Sequence, residues 1–243
     1  MDIFAILFLS IIQGLTEWLP ISSSGHLVIF EKIFNITAAS LEFDIFLHLA
    51  SLVVILIFFK NQIIKIIKER SIWIYYIILS NIFTAIIGYF LYAYIDSFRN
   101  LESVSNWLLF TTIILISTTF GKEKKDLNWK HAIILGVIQG LAVIPGISRS
   151  GVVIGSALII GIKKNQSFLY GFLVAIPAFL GSFLLIVKDF TFDYLYIAGF
   201  FMTIIISYLT LILLRFIVKS NKLYLFSIYT LILSLIIKFI YLL

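Results

Sequence analysis

The chain has 243 residues, of which 62% are hydrophobic and 12% are charged, whereas about 25% of the residues of an ordinary soluble domain are charged. This composition excludes a soluble enzyme, a disordered tail and a nucleic-acid-binding protein, and it predicts an integral membrane protein. The net charge of +6 therefore reports on membrane topology, and the lack of cysteine excludes disulfides and thiolate chemistry.

The first half of the chain opens with an apolar segment, residues 3–36, that is interrupted by Pro20 and by the Ser-Ser-Ser-Gly run at 22–25. Because a spanning helix needs about 20 apolar residues, we expect the two shorter arms to form a re-entrant hairpin that enters from the outer face. Three spanning helices are predicted to follow, at 43–59, 72–95 and 104–120.

The second half opens in the same way. Residues 132–162 begin and end at basic loops, so they cross the membrane an even number of times or not at all. Pro145 and Gly146 divide them into two short arms, which predicts a second re-entrant hairpin, entering from the cytoplasm. Three more spanning helices are predicted, at 167–187, 194–218 and 223–243.

The charges of the loops orient these segments. The polar stretches at 60–71, 121–131, 163–166 and 219–222, together with Arg215, hold 13 of the 18 basic residues. The breaks at 31–44, 96–102 and 188–193 are mostly acidic. The positive-inside rule therefore places the first group in the cytoplasm and the second outside.

An internal repeat links the two interrupted segments. Residues 12–26 and 138–152 share eight identities in fifteen positions at an offset of 126. Since each copy is followed by an odd number of spans, the second copy is inserted upside down. We therefore predict one membrane domain, 1–243, built of two inverted repeats, 1–121 and 122–243. Inverted repeats with broken helices usually enclose a binding site near the bilayer midplane.

The repeats differ where chemistry is expected. The first copy has Glu17 and His26 where the second has valine, and the second has Arg149 where the first has Ser23. A charge in a membrane segment costs roughly 2.5–3.5 kcal/mol, so it normally has a partner or a task. A purely structural ion pair between Glu17 and Arg149 is the simplest alternative.

The polar residues around these charges are suited to a phosphate. Hydroxyl and backbone N–H groups at a break that starts a helix form an anion cradle. The residues expected to bind substrate in this way are Ser22, Ser24, Gly25, Gly146, Ser148, Ser150 and Gly151. Arg149 can bind a phosphate bidentately, Glu17 can bind a metal or accept a proton, and His26 can act as base, nucleophile or acid. This set of groups indicates phosphoryl transfer or hydrolysis.

The strings QGLTEWLPISSSGH (13–26) and PGISRSG (145–151) resemble the two signature motifs of the undecaprenyl-pyrophosphate phosphatase family of the bacitracin-resistance type, and FDIFLHLAS (43–51) resembles a third segment of it. The resemblance implies an all-α membrane fold of six spans and two re-entrant hairpins. It implies hydrolysis of a polyprenyl diphosphate to the monophosphate and phosphate, which recycles the lipid carrier of cell-envelope glycan synthesis.

The resemblance also implies site residues and cofactors. Glu17, Ser23, His26 and Arg149 match the catalytic residues of the family, and Glu17 and Gln13 match its metal ligands, for Mg²⁺ or another divalent cation such as Ca²⁺. The site is expected to open to the extracytoplasmic side of the cell membrane. Val153 stands where the family usually has threonine, which removes one hydroxyl contact.

Several alternatives stay open at this point. The nucleophile is Ser23, His26 or a water molecule. A polyprenyl-phosphate flippase or ion-coupled transporter would use the same groups for binding and coupling, and a purely structural membrane subunit is a third reading. The expected partners are the lipid substrate, the bilayer and, as an open option, a second copy in a homodimer.

Three further polar residues are not counted among the predicted site residues. His48 is expected at a helix–helix interface and Asp44 at the membrane interface. Gln139, which repeats Gln13, is expected either to bridge the hairpins or to contact the ligand.

Overall fold

The computed structural model describes residues 2–34, 36, 41–122, 124–188, 190–220 and 222–242. Over these residues the regular secondary structure is helical, apart from an isolated bridge between Lys125 and Ile162, which confirms the predicted all-α class. The helices are α1 (Ile3–Thr16), α2 (Ser23–Ile33), α3 (Leu41–Phe58), α4 (Lys60–Lys68), α5 (Ile72–Tyr92), α6 (Ile95–Phe98), α7 (Leu101–Ser117), α8 (Trp129–Leu141), α9 (Arg149–Ile160), α10 (Lys164–Leu173), α11 (Ala175–Ile186), α12 (Tyr196–Lys219) and α13 (Leu225–Leu242).

Five of the six predicted spans are helices long and apolar enough to cross a membrane. They are Leu41–Phe58, Ile72–Tyr92, Leu101–Phe120, Lys164–Ile186 and Tyr196–Val218, so the chain is a multi-pass membrane protein. The sixth predicted span corresponds to α13. Its apolar part, Leu225–Ile240, is shorter than the other five, and the predicted end at Leu243 lies outside the described residues.

The basic stretch at 60–71, predicted as a polar loop, is largely helical. Residues Lys60–Lys68 form α4, whose isoleucines recur at helical spacing between the lysines. Ile64 and Ile67 are exposed. An amphipathic helix with lysines on one face and isoleucines on the other lies in the membrane–water interface, which agrees with its position between two spans.

Each of the three prolines of the chain lies four residues beyond the end of a helix. Pro20 follows α1, Pro145 follows α8 and Pro177 follows α10 at this spacing. A proline has no N–H to donate to the carbonyl four residues earlier, and its ring clashes with that carbonyl. The prolines therefore end the first arms of both hairpins and divide the span Lys164–Ile186 at Val174.

The two halves pack against each other reciprocally. A Cβ on Gly14 of α1 would lie 2.8 Å from Cβ of Ile206 on α12, and a Cβ on Gly140 of α8 would lie 2.6 Å from Cβ of Ile87 on α5. The two glycines are 126 residues apart, and the two isoleucines are 119 apart. The third spans, α7 and α13, also pack against each other. This reciprocal packing is what we expect of two inverted copies related by a pseudo-twofold axis. The boundaries 1–121 and 122–243 stay a prediction.

Candidate functional site

The two interrupted segments meet at their breaks. The hydroxyl of Ser22 accepts hydrogen bonds from the backbone N–H of Gly146 (3.0 Å) and of Gly25 (3.2 Å). A Cβ on Gly25 would lie 3.1 Å from the backbone N of Gly146, and a Cβ on Gly151 would lie 3.0 Å from Cβ of Pro20. The glycines of the two motifs therefore let one backbone approach the other, and this close approach brings the hairpins together.

Glu17, just after α1, is the centre of the polar contacts. Its Oε1 accepts a hydrogen bond from Nη2 of Arg149 (2.5 Å), and its Oε2 accepts one from the hydroxyl of Ser23 (2.6 Å). Nε2 of Gln13 also donates to Oε2 (2.9 Å). Nε2 of His48 lies 3.4 Å from the same oxygen. The ion pair that was considered as the alternative is therefore present, but a hydroxyl and an imidazole share its carboxylate.

Part of the Arg149 guanidinium has no hydrogen-bond partner among the described residues. Its Cζ lies 4.5 Å from the ring centroid of Phe179 and 5.6 Å from that of Trp18, so aromatic faces support the cation. Nη2 bonds to Glu17, while Nη1 is buried and has no hydrogen-bond partner among the described residues. A buried donor without a partner is costly, so Nη1 is available to bind an anionic ligand.

Two helix N-termini converge on this cluster. Ser23 and Arg149 are the first residues of α2 and α9, and both bond to Glu17. The hydroxyls of Ser22 and Ser148 cap the two helices by accepting from backbone N–H groups three residues later. The positive ends of two helix dipoles thus meet at one point, which favours an anion there.

The backbone at the first break is strained. Ser22 has φ +70°, a conformation that a residue with a side chain rarely adopts and that commonly marks functional sites. The strained residue immediately precedes Ser23, whose hydroxyl bonds to Glu17.

A cavity of about 620 Å³ adjoins the cluster. Predicted site residues that line it are Glu17, Ser22, Ser23, Ser24, Ser148 and Arg149. Within the described part of the chain, the lining does not include the predicted Gln13, Gly25, His26, Gly146, Ser150 and Gly151. The hydroxyl of Ser150 instead donates to the carbonyl of Leu19 (3.2 Å). The structure thus brings half of the predicted set to the cavity and uses other members to join the hairpins.

His26, a predicted nucleophile or base, faces α13. Its Nδ1–H donates to the carbonyl of Ser22 (2.7 Å), and its Nε2 lies 2.8 Å from the hydroxyl of Tyr229. The two rings are stacked, with an interplanar angle of 9°. With Nδ1 as donor, a neutral imidazole accepts the Tyr229 proton at Nε2. His26 therefore holds the strained break in place and lies outside the described cavity lining.

His48 and Asp44 lie in the site, although the sequence placed them at interfaces. Both line the cavity, and the Nδ1–H of His48 donates to the carbonyl of Asp44 (2.8 Å). Asp44 is buried, and its Oδ2 accepts from Nη1 of Arg99 (2.8 Å), whose Nη2 donates to Oε2 of Glu31 (2.8 Å). The i, i+4 spacing of Asp44 and His48 in an apolar helix was the signal that could have identified them.

Gln139 ties its own hairpin to spanning helices, and its contact with a ligand stays a prediction. Its Nε2 donates to the hydroxyl of Thr84 (3.1 Å) and to the carbonyl of Val174 (3.2 Å), which ties α8 to α5 and to the break before α11. Gln139 also lines the cavity, and its buried Oε1 has no hydrogen-bond partner in the described part of the chain.

Fold and site together define a multi-pass membrane protein that holds a carboxylate, a hydroxyl and a guanidinium between two broken helices. Residues 6–236 match the sequence model of a family described as bacitracin resistance protein BacA. The undecaprenyl-diphosphatase of Halothermothrix orenii is 40% identical over 78% of this chain and 76% of its own length. The chain belongs to the bacitracin resistance protein BacA family, as its motifs indicated.

Two further relatives match the chain almost from end to end. The undecaprenyl-diphosphatase of Thermosipho africanus is 37% identical over 96% of this chain and 98% of its own length. The undecaprenyl-diphosphatase of Methanosphaera stadtmanae is 36% identical over 97% of both chains.

Proposed function

We propose that this chain hydrolyses undecaprenyl diphosphate to undecaprenyl phosphate and inorganic phosphate. Its family and the names of its relatives support this activity. The observation that carries it is the contact of Glu17 with both Ser23 and Arg149 beside the cavity. This arrangement supplies an activated hydroxyl next to a guanidinium nitrogen that has no protein partner among the described residues.

The first chemical step is attack by Ser23 on the terminal phosphorus. A bond forms between Oγ and phosphorus, the hydroxyl proton passes to Oε2 of Glu17, and the anhydride bond breaks so that undecaprenyl phosphate leaves with the bridging oxygen. Nη1 of Arg149 binds a phosphoryl oxygen and stabilises the negative charge on the phosphoryl group in the transition state. The 2.6 Å contact of Ser23 with Glu17 is the hydrogen bond through which this proton moves.

The second step regenerates the serine. Water attacks the phosphorus of the phosphoserine, the bond between Oγ and phosphorus breaks, and phosphate is released together with both protons of the water. The hydroxyl of Ser23 recovers its proton from Glu17. Of the three nucleophiles left open by the sequence, geometry favours Ser23 over His26, because His26 lies against Tyr229 and not in the described cavity lining.

A divalent cation fits the residues present. Mg²⁺ is usually held by one or two carboxylates together with substrate phosphates and water. Among the described residues, no group of three or more His, Cys, Asp or Glu side chains is placed to hold a metal. Glu17 supplies one carboxylate, and Gln13 has a buried Oε1 without a hydrogen-bond partner among those residues. We infer that these two residues hold the cation, which neutralises charge on the diphosphate when bound.

The cavity opens on the extracytoplasmic side in this proposal. Its lining includes the end of α5 at Tyr92, the start of α3 at Leu41, and Arg99. These positions adjoin the acidic breaks, whereas the basic stretches lie at the opposite ends of α3 and α5. Access from outside suits an enzyme that recycles the lipid carrier there. A homodimer stays a prediction.

The test is phosphate release by the detergent-purified protein from undecaprenyl diphosphate, with and without a chelator. The wild type should release phosphate, and the chelator should stop it. Glu17→Gln should release far less, because the proton acceptor and the anionic metal ligand are both lost. Arg215→Lys, an exposed change on α12, is the matched control. A protein that moves labelled lipid between leaflets of a proteoliposome and releases no phosphate would be a carrier and would refute the proposal.

A further inference from the structure

Two helical glycines at the cavity have no packing reason to be glycine. A Cβ on Gly181 of α11 would meet no described heavy atom within 4 Å, and a Cβ on Gly88 of α5 would meet only Cγ2 of Val143, at 3.5 Å. At Gly136 and Gly171, by contrast, a Cβ would lie 2.3 Å and 2.6 Å from its nearest neighbour. The missing side chains of Gly88 and Gly181 therefore leave space open.

The space lies in the wall of the cavity that contains the site. Gly88 and Gly181 line the same cavity as Glu17 and Arg149. Tyr89, next to Gly88, also lines it and is 72% exposed. On the other side Leu185, one turn beyond Gly181, lines it and is 56% exposed. A cavity wall that reaches the surface through such residues, on two spanning helices, opens sideways to hydrocarbon.

The opening breaks the pseudo-symmetry of the fold. Two equivalent pairs of spans join the halves: α3 packs along α12, whereas the corresponding pair, α11 and α5, meet at few points. At the offset of 119 that relates α5 to α12, Gly88 corresponds to Ser207, which is completely buried. One of two equivalent seams is therefore closed and the other is open.

The end of the cavity at Gln139 and Arg149 carries polar atoms that can bind the polar head group of a lipid. Gln139 is 3% exposed and lines the cavity, and its Oε1 has no hydrogen-bond partner among the described residues. Nη1 of Arg149 is likewise buried without a described partner. A ligand with an anionic head at this end and a long apolar tail at the open seam matches both ends of the cavity.

We propose that the gap between α5 and α11 at Gly88 and Gly181, here called the portal, is where the prenyl chain of the substrate passes from the cavity into the bilayer. The portal rests on the proposed function. Its occupant is an isoprenoid chain, whose methyl branches make it wider than a straight acyl chain, so that the width of the portal determines which lipid diphosphates reach Ser23.

The test compares tails on one diphosphate head. We expect Gly181→Phe, and independently Gly88→Leu, to lower the ratio of kcat/KM for the C55 substrate to that for a C5 prenyl diphosphate by about tenfold, because the new side chain obstructs the tail and not the head. Leu184→Phe is the control, since Leu184 is 69% exposed on the same helix and lies outside the described cavity lining. Its ratio should equal that of the wild type.

An unchanged ratio in both portal variants, whether both rates fall together or neither falls, would overturn the portal. A wild type that hydrolyses neither substrate refutes the proposed function instead. A second measurement does not depend on folding of the variants or on C5 turnover. A C55 diphosphate analogue with a photoreactive group in its first isoprene units should label α5 and α11 of the wild type. Labelling confined to other helices would contradict the proposal.

Discussion

Replacement of Arg149 by lysine tests the central contact of the site while keeping its charge. The guanidinium bonds to Glu17 through Nη2 and leaves Nη1 for a phosphoryl oxygen. A lysine has a single Nζ at the end of a flexible stem, so it cannot hold both partners in the planar geometry of arginine. It also loses favourable stacking on the ring of Phe179.

The magnitude follows from the contact that is lost. A hydrogen bond to a charged group contributes about 1.5–3 kcal/mol. Because about 1.36 kcal/mol corresponds to a factor of ten in rate, kcat/KM should fall by about 10- to 150-fold in Arg149→Lys. The assay is phosphate release from undecaprenyl diphosphate over a range of substrate concentrations, together with a melting curve that reports folding.

The matched control is Arg215→Lys. Arg215 lies on α12, with its Cζ 5.7 Å from the ring centroid of Phe58, so the same substitution removes a comparable cation–aromatic contact far from Glu17. A folded Arg149→Lys protein with the kcat/KM of the wild type would refute the role of the guanidinium in phosphate binding.

Three further predictions concern the nucleophile, the hydrogen bond between His26 and Tyr229, and an ion pair in a surface loop. In acid-quenched reactions the wild type should carry a phosphorylated serine and Ser23→Ala should not; a Ser23→Ala enzyme that turns over at the wild-type rate would favour direct attack by water. Tyr229→Phe, which keeps the ring but removes its hydrogen bond to His26, should lower kcat by less than His26→Ala does. Equal losses would show that the hydroxyl, and not the contact of His26 with the break, dominates. A hydrogen bond from the Lys163 ammonium holds the pKa of the exposed Asp126 carboxyl below its usual 3.8. The ionised carboxylate therefore stabilises the fold at pH values above its pKa in the unfolded chain, and this stabilisation is lost as the pH falls through its lower pKa in the folded protein. The melting temperature of Asp126→Asn should therefore fall less steeply than that of the wild type in this acidic range.

Much of the fold is predictable because the membrane restricts the choices. The length of each apolar stretch identifies the spans. Pro20 and Pro145 identify where the first arm of each hairpin ends, since the lost N–H and the ring clash act locally. The repeat in the hairpins is visible in the sequence because Gln, Gly and Ser stand out among apolar residues. The repeat in α5 and α12 is not, because both are long runs of interchangeable apolar residues.

The pairing of Glu17 with Arg149 is predictable for a related reason. A charge in a membrane segment needs a partner, and each hairpin break contains one such charge. The direction in which a polar side chain points cannot be predicted from the sequence. His26 turns to Tyr229, a residue 203 positions away in an apolar helix, and no local pattern reports that contact. His48 approaches Glu17 through the packing of α3 against α1, which no local pattern reports either.

The serines of the two motifs illustrate the same limit. Ser22 and Ser148 were expected to bind phosphate, yet their hydroxyls accept hydrogen bonds from the N–H groups of Gly25 and Gly151. A serine before a helix can serve as a cap or as a ligand, and its sequence position is the same in both cases. The structure shows the capping role, and the binding of phosphate by these two serines, which line the cavity, stays a prediction. Ser23 is the hydroxyl in contact with Glu17.

The division of chemistry between the repeats follows from their geometry. Ser23 and Arg149 are equivalent positions at the offset of 126, and each is the first residue of its helix. The reciprocal packing of the halves therefore brings both to one carboxylate, on the ends of helices from different hairpins. A hydroxyl at one end and a guanidinium at the other can hold and attack a phosphoryl group together, whereas two identical repeats would offer two hydroxyls or two cations. The loss of sequence identity at this position is thus what converts a symmetric scaffold into a site with distinct roles.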